Sequence, residues 1–136
     1  MSSRFPRLLA ATLWFIAVVQ FVLGAAFLAA PEQAAHALGL APAPGWANWL
    51  FGMMAARFLG FAFGMAVAAR NPAGARSWIT AMIGIQAIDW IVTLKYLALG
   101  AVTLAQVSTA SFLPVLFVIA LAIAMPRPVA ATGMQR

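Results

Sequence analysis

The sequence predicts an all-α integral membrane protein, a bundle of four antiparallel transmembrane helices that run up and down in chain order. Two observations predict this fold. Hydrophobic residues make up 65% of the 136 residues and charged residues 7%, whereas a soluble domain carries about 25% charged residues. Four apolar stretches are also long enough to cross a bilayer, which takes about 20 residues in a helix. We therefore expect lipid, rather than water, to surround most of the chain.

The first predicted span covers residues 8–30, which include no charged side chain. The basic segment before it and the small residues at its end fit a secretory signal peptide loosely, but the apolar stretch is longer than such a peptide needs. We expect a retained span, with Gln20 near its middle. Residues 31–40 are then predicted to form a short interfacial helix, since Pro31 suits a first helical position and Gly39 a helix end.

The second predicted span covers residues 46–69 and begins with Trp46 and Trp49, which are typical anchors at a membrane interface. Small residues recur at every fourth position of this span, namely Gly52, Ala56, Gly60 and Gly64. Such spacing lets another backbone approach closely, so it predicts a helix-packing face. Arg57 is adjacent to that face and is expected to point toward protein.

The third and fourth predicted spans cover residues 78–99 and 104–125 and follow a short turn at residues 70–77. In the third span, Gln86, Asp89 and Thr93 share one helical face. In the fourth span, Ser111 is followed by Pro114, whose missing N–H would leave a backbone carbonyl free. Residues 1–125 are thus predicted to form one membrane domain, and residues 126–136 a flexible cytoplasmic tail.

The distribution of charged residues predicts the orientation of the spans. With four spans, six basic residues fall on one side of the membrane: Arg4, Arg7, Arg70, Arg76, Arg127 and Arg136. The other side carries Glu32 and His36, together with Lys95 near the end of the third span. Basic residues favour the cytoplasmic side. We therefore expect both termini in the cytoplasm and the bundle in a bacterial inner membrane.

Two opposite charges are predicted to meet at the middle of the bilayer. Arg57 follows Trp46 by eleven residues, and Asp89 follows Trp78 by eleven residues. At 1.5 Å per residue, each charge lies about 16 Å from its interfacial Trp, near the centre of a core about 30 Å thick. A lone charge at that depth costs ~2.5–3.5 kcal/mol on insertion scales. The two side chains are therefore expected to pair.

The role of this pair has two interpretations. Gln20, Gln86 and Ser111 also lie near the midplane, so the five polar residues could form a pocket for a small hydrophobic or amphipathic ligand or for an ion. Alternatively, Arg57 and Asp89 form a structural staple between two helices. The phenylalanine-rich segment 51–63 also has two interpretations, since its rings could line an apolar cavity or face lipid.

No catalytic residue, metal site or cofactor is predicted. The chain has no cysteine and a single histidine. His36 lies four residues from Glu32, which gives two possible ligands where a closed metal site needs more. Nucleic-acid binding is not predicted either, because aromatic residues are not interleaved with the basic ones.

These observations predict a non-enzymatic accessory or binding protein in contact with the lipid bilayer. The small-residue face favours a homo-oligomer or a subunit of a larger membrane complex. One alternative is a small transporter or channel in which Asp89 exchanges protons or ions, although no internal repeat typical of transporters is evident. A second alternative is a membrane-embedded enzyme that acts on a lipophilic substrate.

Several short motifs are distributed along the chain. They are Leu38-Gly39-Leu40 after the first span, the sequence Ala-Arg-Phe-Leu-Gly at residues 56–60, Ala-Arg-Asn-Pro at residues 69–72, and Asp89 in the third span. Together they resemble the small bacterial four-helix membrane proteins grouped as DoxX-like. The resemblance implies a four-span fold rather than an activity, because many members of that group have no assigned activity. It assigns no site residue.

Overall fold

The architecture is all-helical, as the sequence predicts. The structure, a computed structural model, describes residues 4–72 and 74–125. These residues form five helices and no strand: α1 (Arg4–Ala29), α2 (Pro31–Ala37), α3 (Ala47–Arg70), α4 (Arg76–Ala98) and α5 (Ser108–Ala124). The predicted tail at residues 126–136 lies outside the described residues.

Three of the helices are long and apolar enough to cross a membrane. They are α1, over Arg7–Ala29, and the whole of α3 and α4. Large apolar side chains also cover the outside of the chain, for example Trp49, Phe63 and Ile123, which are 69%, 71% and 68% exposed. Contiguous apolar surface of this kind is rare on a monomeric soluble protein. Helix length and surface together indicate a membrane protein.

The fifth helix begins later than the sequence predicted. It contains 17 residues and starts at Ser108, whereas the predicted span starts at residue 104. Residues 104–107 form a turn before it. Thr103 donates its N–H to Gln106 Oε1 at 2.8 Å, and the Gln106 N–H approaches Thr103 Oγ1 at 3.4 Å, a reciprocal pairing with the spacing of a capping box.

The short helix α2 ends where the sequence predicted a glycine terminator. Gly39 has φ +72°, a conformation that glycine adopts without steric cost. Its N–H donates to His36 O at 2.8 Å, and the Leu40 N–H donates to Ala35 O at 3.1 Å. These two bonds form a Schellman motif, which satisfies carbonyls left open at the helix end.

The helices pack unevenly. The most extensive contact joins α1 to α3, followed by α4 to α5, while α3 and α4 contact each other only slightly although one turn connects them. The main core is shared by α1, α3, α4 and α5, and its fully buried members include Leu13, Met65, Ile79 and Leu121. It lies where α1 and α4 begin and where α3 and α5 end. A smaller cluster joins Phe27, Ala35 and Ala55 near α2.

The predicted packing face of α3 is mostly unoccupied within one chain. Gly52 and Gly60 have no atom within 4 Å of an added Cβ, and Ala56 is exposed. Only Gly64 is buried, against the ring of Trp78 on α4. The buried face of α3 is formed instead by Ala55, Ala62, Gly64, Met65, Ala68 and Ala69. The spacing of the small residues therefore leaves a long face open for a second molecule, and its packing role stays a prediction.

The Gly64–Trp78 contact leads to a test of α3–α4 packing. A Cβ at Gly64 would lie 2.6 Å from Trp78 Cε3, so Gly64→Ala forces the ring to move. We expect the free energy of unfolding to fall by about 1–3 kcal/mol. The measurement is the thermal midpoint of the purified chain in mild detergent.

The matched control for this test is Gly60→Ala, which enters open space on the same helix. It should cost nothing, because alanine favours a helix over glycine by about 1 kcal/mol. In a Trp78→Ala background, Gly64→Ala should also lose most of its effect. Equal losses for the two glycine substitutions in the wild-type background would contradict the close approach of ring and backbone.

Candidate functional site

The predicted charge pair forms, and it connects two helices that otherwise contact each other little. Arg57 on α3 donates from Nη2 to both carboxylate oxygens of Asp89 on α4, at 3.2 Å to Oδ1 and 3.4 Å to Oδ2. The guanidinium carbon also lies 5.9 Å from the centre of the Phe61 ring, within the range of a cation–π contact. The pair and the Gly64–Trp78 contact therefore link α3 to α4 at two positions along the helices.

Within a single chain the pair lies partly on the outside of the bundle. The side chains of Arg57 and Asp89 are 51% and 40% exposed. The expectation that Arg57 points toward protein therefore does not hold within one copy of the chain. The reason is the rotation of α3, which directs Ala55 and Ala62 into the bundle and leaves Ala56 and Arg57 outward.

An apolar cavity lies on the inner side of the same helices. Its volume is 580 Å³, within the ~300–1,000 Å³ typical of small-molecule sites. The apolar part of its wall comes from α1, α3, α5 and the segment after α2: Val18, Val19, Val22, Leu23, Phe27, Leu38, Leu40, Phe51, Met54, Phe58, Ala110, Leu113, Pro114 and Phe117. The polar lining residues are Gln20, Gln86 and Asp89. Three of the five predicted polar residues thus share one cavity.

Gln20 is the polar residue whose environment is least satisfied. Its side chain lies on α1 with 7% of the residue exposed. The oxygen Oε1 is buried and has no hydrogen-bond partner among the described residues. A buried polar atom left without a partner costs about 1–3 kcal/mol. Native structures keep few such atoms, so this one calls for a physical explanation.

Gln86 and Asp89 approach the cavity from α4. Gln86 is 5% exposed and is therefore as deeply buried as Gln20. Asp89 lies one helical turn further along and borders the cavity while its carboxylate accepts from Arg57. The neighbouring Thr93 hydroxyl donates to the Asp89 backbone carbonyl at 2.8 Å, so it does not use the carboxylate.

Pro114 adds a further acceptor to the wall. It lies inside α5 and has no N–H. The carbonyl of Ala110, four residues earlier, consequently lacks its usual helical donor. Both Ala110 and Pro114 border the cavity. The residue whose carbonyl the sequence predicted to be free therefore borders the cavity.

Ser111 and Arg57 do not line the cavity. The Ser111 hydroxyl donates to Val107 O at 2.8 Å within its own helix. Arg57 reaches the cavity only through its bond to Asp89. Of the phenylalanines in segment 51–63, Phe51 and Phe58 line the cavity, Phe61 packs against the main core and Phe63 is exposed.

The sequence did not predict a role for Gln106, which connects two segments at one end of the bundle. Its Nε2 donates to Gly39 O at 2.9 Å, across 67 positions of sequence. Leu38 and Leu40, on either side of Gly39, both border the cavity. The Gln106–Gly39 bond therefore holds the segment that covers this end. The available signal was an amide three residues after Thr103, a capping-box spacing at the start of an apolar stretch.

Glu32 and His36 border a second cavity beside α2, which shares the lining residues Leu40 and Phe51 with the first. Its volume is 430 Å³. Glu32 Oε1 accepts a hydrogen bond from Asn48 Nδ2 at 3.0 Å, which ties α2 to the start of α3. Among the described residues, no group of three or more His, Cys, Asp or Glu side chains is placed to hold a metal ion.

Comparison with known proteins gives no relative for this chain. No family model, no curated protein and no solved structure matches it.

The charge pair leads to a double-mutant prediction. Arg57→Leu or Asp89→Leu alone leaves one unpaired charge near mid-membrane, where insertion costs ~2.5–3.5 kcal/mol. The double variant Arg57→Leu/Asp89→Leu should recover most of the stability that either change removes. Thermal midpoints and yields from membranes measure this coupling.

The charge swap is the companion variant. Arg57→Asp with Asp89→Arg should restore folding if the two charges stabilise each other. If the pair also contributes to ligand binding in the cavity, the swapped chain should fold but bind the ligand with lower affinity. Losses that simply add in the double-leucine variant would show that the two side chains are not coupled.

Proposed function

We propose that the chain is a small four-span protein of a bacterial inner membrane, with both termini in the cytoplasm. The observed contacts support an up-and-down order, since α1 meets α3, α3 meets α4, α4 meets α5 and α5 meets α1. At 17 residues α5 lies at the lower limit for a span. The one-sided distribution of arginine residues supports the orientation.

Its function in this proposal is non-enzymatic binding of a small hydrophobic or amphipathic molecule. The observation that carries the proposal is the 580 Å³ cavity lined in part by Gln20, a residue whose buried Oε1 has no hydrogen-bond partner among the described residues. Apolar walls with a few polar groups are the usual composition of a small-molecule site. A bound molecule that satisfies Gln20 would explain why a polar residue is retained at this depth.

The ligand would reach the cavity from the bilayer. Val18 and Val22 line the cavity and are 55% and 57% exposed, and Ala110 is exposed as well. The cavity therefore reaches the surface of the bundle at α1 and α5. A hydrophobic molecule dissolved in lipid could enter there without crossing water.

Two further features bear on the proposed setting. The open small-residue face of α3 suits a second copy of the chain or another membrane subunit, which would also cover the outward side of Arg57 and Asp89.

Proton- or ion-coupled transport is the second candidate function. It is favoured by one observation, the position of the Asp89 carboxylate at the cavity wall.

The proposed topology can be tested by labelling introduced cysteines, because the natural chain contains none. Gln33→Cys and Ala101→Cys should react with a membrane-impermeant maleimide added outside spheroplasts. Ser77→Cys and Thr132→Cys should react only after permeabilisation, since basic residues keep their segments inside. Labelling of Thr132→Cys from outside would instead show that residues after α4 do not cross the membrane again.

The proposed binding can be tested by filling the cavity. Val19→Phe places a larger side chain on the cavity wall, so a molecule that co-purifies with the wild-type chain should be displaced. Val92→Phe is the control, since Val92 lies exposed on α4 and is not part of the wall. Native mass spectrometry from mild detergent measures the bound fraction. An adduct equally abundant in both variants, or none in the wild type, would contradict the proposal.

A further inference from the structure

We infer that the cavity takes a neutral lipid whose head donates a hydrogen bond from a hydroxyl group, in effect a long-chain alcohol. The inference rests on the binding function proposed above and adds the chemical class of the ligand. It is based on which polar atoms lack partners, on the charge beside the cavity and on the length of the apolar wall.

Three residues that border the cavity carry acceptor atoms with free capacity to accept. Gln20 Oε1 is buried with no partner among the described residues. The Ala110 carbonyl has lost its helical donor because residue 114 is a proline. Among the described residues, the Asp89 carboxylate accepts from one nitrogen of Arg57, and it can accept further bonds. A ligand head that donates satisfies these atoms, whereas a head that only accepts leaves them unpaired.

The charges beside the cavity favour a neutral head. Asp89 is already compensated by Arg57 at 3.2 Å. A cationic head would therefore add an unpaired positive charge to a low-dielectric site, and a carboxylate head would meet the Asp89 charge directly. Both would carry the desolvation cost of a buried ion. A hydroxyl group donates a hydrogen bond without that cost.

The apolar wall indicates a long hydrocarbon tail. It extends along α1 from Val18 to Phe27 and continues to Leu38, Leu40 and Phe51 beside α2. Gln20 lies near one end of this wall, so a head bonded there directs its tail toward the phenylalanines. The terminal torsion of a glutamine is soft, which allows the Gln20 amide to turn toward the head.

The test compares two probes with the same tail, one with a hydroxyl donor and one in which a methyl group replaces the hydroxyl hydrogen. Farnesol carries a hydroxyl group, and farnesyl methyl ether has the same tail without a donor. The full-length chain is reconstituted in nanodiscs, and dissociation constants are obtained by titration with native mass spectrometry. Farnesol should bind at least about tenfold more tightly, which corresponds to one hydrogen bond of about 1.4 kcal/mol.

The variant that isolates the donor effect is Gln20→Leu. It should bind the two probes with nearly equal affinity, and its thermal midpoint without ligand should rise, because an unpartnered oxygen has been removed. A structural role for Gln20 predicts the opposite, a lower midpoint. Gln20→Met serves the same purpose if the leucine variant expresses poorly. The control is Ser111→Ala, because the Ser111 hydroxyl donates within its own helix and Ser111 does not line the cavity.

The outcomes separate this inference from the function on which it rests. Equal binding of alcohol and ether to the wild type, blocked by Val19→Phe, would overturn the hydroxyl preference and leave the cavity as a binding site. Tighter binding of the ether would likewise overturn the hydroxyl preference and leave the cavity as a binding site. Binding of neither probe, or binding that Val19→Phe does not reduce, would count against the binding function itself. A farnesol preference lost in Gln20→Leu and kept in Ser111→Ala supports the inference.

Discussion

Lipid tails cannot form hydrogen bonds, and that constraint applies to each polar side chain within the apolar helices. Arg57 and Asp89 satisfy each other across two helices. Thr93 and Ser111 donate to carbonyls of their own helices. Among the described residues, Gln20 is the buried exception, and it lines the 580 Å³ apolar cavity. Among the described residues, this oxygen is the buried side-chain atom without a partner, and the proposed binding function rests on it.

The main core and the cavity lie toward opposite ends of the same helices. The main core uses the first part of α1 and α4 and the last part of α3 and α5, around Leu13 and Met65. The cavity occupies the opposite ends of these helices, under the segment that Gln106 holds through Gly39. The fully buried side chains of the main core, such as Leu13, Met65 and Leu121, are not part of the cavity wall.

Sequence alone predicted the features that depend on local chemistry. Helix lengths follow from apolar runs, the end of α2 from Gly39, and the Arg57–Asp89 pairing from matched depth. It could not predict how each helix rotates about its axis, since α3 has apolar or small residues on every side. Gly52, Ala56 and Gly60 therefore matched the spacing of a packing face and yet lie outward. The cavity could not be predicted from the sequence either, because it depends on how aromatic rings from several helices come together in the fold.

The short fifth helix has a consequence for the surrounding bilayer. At 1.5 Å per residue, 17 residues extend about 25 Å, while the 26 residues of α1 extend about 39 Å. In a four-span arrangement, one flank of the protein is thus shorter than a typical hydrocarbon core of about 30 Å. Hydrophobic mismatch on that flank thins the adjacent lipid at a cost of a fraction of a kcal/mol per Å. Membrane thickness thereby becomes a variable that biases both where the protein resides and which side it presents to neighbours.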